Sequence, residues 1–135
     1  MGTRSTIRFT DERNTNYITI YQQYDGYIDG VGHELAEFLN RITIVNGFNS
    51  EMSAGTHANG IGCLIAQFIA EKKTGIGNLY VDPIDSFGSE DYNYLVVVKD
   101  DGSIEITVDN WGESPFFKGT PEQLLNVYDC DFEED

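Results

Sequence analysis

The chain has 135 residues, with eight basic and 23 acidic side chains and a formal net charge of −15. That length holds one domain comfortably, and a charge of that sign argues against a direct nucleic-acid binder or a protein docked on an anionic membrane. Because 40% of the residues are hydrophobic and 13% aromatic, a real core can be buried and disorder is not implied.

In chain order, Arg4 to Thr10 reads as a strand, with Ile7 and Phe9 alternating against Thr6, Arg8 and Thr10. Turn residues at 11–16 lead into the β-rich run Tyr17 to Tyr21, which predicts an N-terminal hairpin. After a loop at 25–30, Val31, Leu35, Phe38, Leu39 and Ile42 form the stripe of an amphipathic helix, capped by Asp29 or Gly30 and ended by Asn46-Gly47. Asn49 to Asn59 reads as a polar loop. A second helix follows from about Gly60 to Lys73, with Ile61, Leu64, Ile65, Phe68 and Ile69 on its apolar face and Gly75 as the C-cap.

A short strand, Leu79 to Val81, stops at Asp82-Pro83. Tyr92 to Lys99 and Ser103 to Asn110 are β-rich runs joined by Asp100-Asp101-Gly102, a hairpin turn sequence. Phe116-Phe117 adds a short edge strand, and Thr120-Pro121-Glu122-Gln123 has the capping-box pattern of a last short helix. The predicted class is α+β: an N-terminal β-hairpin, two central amphipathic helices, a C-terminal antiparallel sheet and a short last helix. One domain is expected over 1–128, with an acidic tail over 129–135.

No apolar h-region follows Met1, and no run is long enough to span a bilayer, so a cytoplasmic protein is expected. Cys63, within the apolar helix pattern, reads as a small buried hydrophobe, and Cys130 in the acidic tail as a poor nucleophile.

The charge is uneven: residues 1–67 carry a net −3 and residues 68–135 a net −12. In the strand Ile104 to Asp109, Glu105, Thr107 and Asp109 share the solvent face, at a spacing of ~6.8 Å between same-face neighbours. Phosphates on one DNA strand recur every ~3.4 Å, so such a face can imitate part of a phosphate row. The alternative is a solvated face that keeps the protein soluble.

Candidate chemistry is sparse. Gly55 to Gly62 has the glycine spacing of a phosphate loop but Ile61 where a Walker loop needs Lys; His57, Asn59, Gly60 and Gly62 would line an anion site at the helix start. His33 and His57 lack metal-ligand spacing, and Asp82, Asp85, Glu90 and Asp91 do not match a calcium loop, so no metal and no cofactor are implied. Cys63 with His57 is the single nucleophile–base pair, and an apolar helical Cys is poorly suited to catalysis. Tyr24-Asp25-Gly26-Tyr27 and Trp111 to Phe117 are aromatic loops flanked by acids, the composition of a protein-binding patch or of covers for the sheet ends.

Thr3-Arg4-Ser5-Thr6-Ile7, followed after a hairpin by Tyr24-Asp25-Gly26-Tyr27-Ile28-Asp29-Gly30-Val31-Gly32, resembles a family of small bacteriophage and prophage proteins. In that family a TRS-x-I strand precedes a DGY-x-x-G-x-G turn and a helix. The resemblance covers about the first 40 residues and implies a viral origin and an infected bacterial cytoplasm as workplace, with no activity attached. With the charge, it leads to the expectation of a non-enzymatic inhibitor of a bacterial defence system, of anti-CRISPR or anti-restriction type. An acidic surface would occupy the basic nucleic-acid-binding site of a host protein, with Asp100, Asp101, Glu105, Asp109 and Glu113 supplying the field and Trp111 and Phe116 the anchor. The alternative is a sponge for a small defence-signalling nucleotide, using Arg8, Tyr27, His57, Asn59, Gly60 and Gly62. A homodimer is left open.

Overall fold

The computed structural model describes residues 2–83 and 90–128. The acidic tail with Cys130, and Asp85 of the candidate calcium loop, lie outside the described residues.

Strands β1 (Ser5–Asp11) and β2 (Asn16–Gln22) form the expected hairpin, and β6 (Tyr92–Val98) and β7 (Ile104–Asp109) the second one. The two hairpins belong to one sheet. β1 pairs in parallel with β6, from Ser5 opposite Tyr92 to Asp11 opposite Val98, across some 87 residues of sequence. With β5 (Leu79–Asp82) on β2 and β8 (Phe117–Gly119) on β7, the sheet has the order β5-β2-β1-β6-β7-β8. All its other pairings are antiparallel.

Alternation along these strands sends Ile7, Phe9, Ile20, Tyr94, Val96, Ile106 and Val108 into one buried layer. Two helices pack on it: α1 (His33–Arg41) and α2 (Gly60–Lys72). Phe68 of α2 meets both Phe9 and Phe38, with ring centroids 6.0 and 5.3 Å away. Each such ring pair contributes ~1 kcal/mol beyond burial. The predicted stripe Val31, Leu35, Phe38, Leu39 and Ile42 is buried throughout.

Several local expectations are corrected. The α1 stripe begins in a π-helical turn over Ile28–Gly32, and the residue before α1 is Gly32, not Asp29 or Gly30. Gly32 packs closely there: a Cβ would lie 3.0 Å from the Tyr94 hydroxyl, a tight contact. The first helix ends at Arg41, not at Asn46-Gly47, because Ile42 turns extended and leads into the strand β3 (Thr43–Val45), which pairs in parallel with β4 (His57–Asn59), at the end of the predicted polar loop, as a separate ribbon. After α2 the left-handed glycine is Gly77, not Gly75. Cys63 is half-buried and hydrogen-bonded, not a sealed hydrophobe: its thiol donates to Gln67 Oε1 at 2.8 Å. The last helix, α3 (Pro121–Leu125), has the full reciprocal capping box between Thr120 and Gln123.

Candidate functional site

The acids expected to act together divide between the two ends of β7, a span of ~20 Å for a six-residue strand. At the hairpin tip, Asp100 receives Arg13 Nη1 at 3.1 Å, and its amide donates to Glu12. Ionic hydrogen bonding to Asp100 raises the Arg13 pKa. Asp101 accepts both the hydroxyl and the amide of Ser103, which hold its carboxyl below the usual range. These carboxylates therefore shape the turn and link it to the β1–β2 turn. Glu105, half-buried in mid-strand, lies 3.9 Å from Lys118 on β8.

At the other end of β7, Asp109 accepts Asn93 Nδ2 and the Gly112 amide, both at 2.9 Å. This turn places Trp111 at φ +54°, 59% exposed. Phe116 is half-buried, edge-on to Tyr92 at 6.4 Å, while Glu113 is exposed. Phe116 thus covers the sheet end, and Trp111 is the aromatic presented to solvent.

The second aromatic loop arrives at the same place. Asp91 joins them: one carboxylate oxygen accepts the Arg4 amide at 3.0 Å and the other the Trp111 indole N–H at 3.1 Å. The Gly26 amide donates to Thr3 O, and Tyr94 donates its buried hydroxyl to Gly26 O at 2.7 Å. A Cβ on Gly26 would stand 2.8 Å from Ser5 Cβ. Only glycine permits this contact, so the Thr3-Arg4-Ser5 and Asp25-Gly26-Tyr27 segments are physically one unit. Tyr24 and Tyr27 are 53% and 37% exposed on it. They line a cleft of about 970 Å³ with Arg4, Gln23, Asp25 and Asp91.

Two of the three non-glycine residues with positive φ among the described residues, Asp25 (+57°) and Trp111 (+54°), are at this end. Each such conformation costs on the order of 1–2 kcal/mol. The third, Asn14, is in the β1–β2 turn, where Asn suits that conformation.

The residues expected to hold a nucleotide do not converge. Arg8 lies in mid-β1, where burial lowers its pKa against the opposing pull of Asp109. Tyr27 lies in the cleft at the sheet end. His57 and Asn59 are in the short strand β4, and Gly60 and Gly62 begin α2, so the glycine-spaced segment is turn, strand and helix start in succession. Asn59 Oδ1 accepts the Gly47 amide, Gly60 turns the chain at φ +84°, and Gly62 is exposed on α2. His57 lines an apolar cavity of about 230 Å³ with Cys63, but its Nδ1 bonds Thr56 and the thiol bonds Gln67. No group of His, Cys, Asp and Glu among the described residues could hold a metal ion.

The sequence marks Tyr24 and Asp25 only as part of an aromatic loop, and Asp91 and Glu90 only as acids that fail a calcium pattern. The composition of the two aromatic loops was the available signal; their meeting depends on the β1–β6 pairing. No protein-family model, curated protein sequence or solved structure matches this chain.

Proposed function

We propose that this protein is a non-enzymatic, phage-type inhibitor of a bacterial defence system, of anti-CRISPR or anti-restriction type. Its acidic and aromatic sheet end occupies a basic nucleic-acid-binding site on a host protein in the infected cytoplasm. The observation that carries this reading is the convergence of exposed Trp111, Tyr24 and Tyr27 with Asp25, Asp91 and Glu113. Exposed aromatics in a rigid setting act as binding anchors, and surrounding carboxylates steer a basic partner and select against an acidic one. The strained backbone at Asp25 and Trp111 agrees with a contact geometry maintained at a cost in stability. No helix among the described residues is long and apolar enough to cross a membrane.

Compared with the sequence expectation, this places the anchor at Trp111 with Tyr24 and Tyr27. Glu105 and Asp109 become supporting charges, and Asp100 and Asp101 turn formers. The test is capture of host proteins from a bacterial lysate by the full chain at low and high salt. The expected partner is a basic nucleic-acid-binding protein, released by salt and lost with Trp111→Gly. Capture that is insensitive to both salt and Trp111→Gly contradicts the reading.

A further inference from the structure

The chain contains two Asn-Gly pairs, Asn46-Gly47 and Asn59-Gly60. The parallel ribbon brings them together: Val45, the last residue of β3, is in register with Asn59, the last of β4. Across this joint the Gly47 amide donates to Asn59 Oδ1 at 2.7 Å. A backbone N–H can only donate, so the Asn59 amide presents its oxygen here. Asn46 itself is exposed, and no hydrogen bond among the described residues engages its side chain. Gly47, at φ +101°, has open space where a Cβ would stand, which leaves room at the turn.

An asparagine followed by glycine carries its own reactive partner. The next backbone nitrogen, once hydroxide has removed its proton, attacks the side-chain carbonyl carbon Cγ. The Cγ–Nδ2 bond then breaks, the amide nitrogen takes a proton from water and leaves as ammonia, and a second water opens the cyclic imide to aspartate or isoaspartate. Glycine favours the attack because it has no side chain to obstruct it. The two pairs differ in geometry. Ring closure needs the following nitrogen on the side-chain side of the Cα–C bond, and Asn59, at ψ +77°, turns the Gly60 nitrogen to the far side. At Asn46 the side chain is free, but the attacking nitrogen is the one that Asn59 holds, and the proton that must leave is the proton of that hydrogen bond. We propose that Asn46-Gly47 is a site of spontaneous deamidation kept latent by the Asn59 side chain. The reaction adds one negative charge and, as isoaspartate, one backbone carbon immediately after β3. This inference is independent of the protein-docking proposal.

Peptide mapping by mass spectrometry tests it, on the full chain incubated in warm, mildly alkaline buffer. Asn59→Ala removes the acceptor, and deamidation at Asn46 is expected to rise about threefold or more, the rate equivalent of one lost hydrogen bond. Asn59→Asp keeps an oxygen at that place, and Asn46 is expected to react no faster than in the parent. In the unaltered chain Asn46 is expected to react about threefold or more slowly when folded than in urea, a comparison that stands even if a variant folds poorly. An Asn46 rate unchanged in Asn59→Ala, an equal rise in Asn59→Asp, equal rates folded and in urea, or faster reaction at Asn59 than at Asn46 in the folded parent overturns the inference.

Discussion

Asp91 uses both carboxylate oxygens to join the chain's N-terminal segment to its single tryptophan. Removing it with Asp91→Ala frees two donors, and a loss of about 1–3 kcal/mol is expected in urea unfolding, with an altered Trp111 fluorescence maximum in the folded state. Trp111→Gly separates folding from binding. Glycine relieves the positive-φ penalty of about 1–2 kcal/mol while losing the indole hydrogen bond, so stability stays within about 1 kcal/mol of the parent. Partner affinity falls by about 30-fold or more, as for a hot-spot residue. Asp11 makes a pH prediction. The amide of Thr15 holds its carboxyl below the usual range, against an upward push from desolvation, with help from the Arg13 amide and guanidinium. A folded pKa below the unfolded ~3.9 contributes stability above about pH 4, which is lost as pH falls through the folded value. Thermal midpoints measured from pH 6 to 3 should therefore fall less for Asp11→Asn than for the parent.

Elements governed by local rules were legible in the sequence. Asp100-Asp101-Gly102 specified a hairpin because Gly102 supplies the positive φ the turn needs. Thr120 and Gln123 specified α3 because each satisfies a backbone donor of the other. The apolar stripes of both helices also read correctly, since burial of one face is a periodic signal. What was not legible was long-range or short-segment. The β1–β6 pairing leaves no local trace, and β3 and β4, of three residues each, are too short for alternation to register. The candidate site was half legible for the same reason: Trp111 stood out by type, whereas Asp91 acquires its role from β1. Gly26 tests this joint. A methyl group there meets Ser5 and the Arg4 backbone below 3.0 Å, so Gly26→Ala should cost about 2 kcal/mol or more by urea unfolding, against little change for Gly62→Ala on open surface.

For the whole molecule, acids at both ends of β7 take part in hydrogen bonds, but those opposite the β6–β7 tip lie beside exposed aromatic rings. Total charge sets solubility and long-range attraction; the placement of the rings decides where a partner docks. Salt acts on the first and Trp111→Gly on the second, which makes the two separable. The most direct measurement is competition: a host nucleic-acid-binding protein captured by this chain is titrated with its own DNA or RNA at about 0.05 M and 0.5 M salt. The account predicts mutually exclusive binding, with affinity for the chain falling steeply at the higher salt. A ternary complex with nucleic acid still bound, or an affinity unchanged by salt, would contradict it.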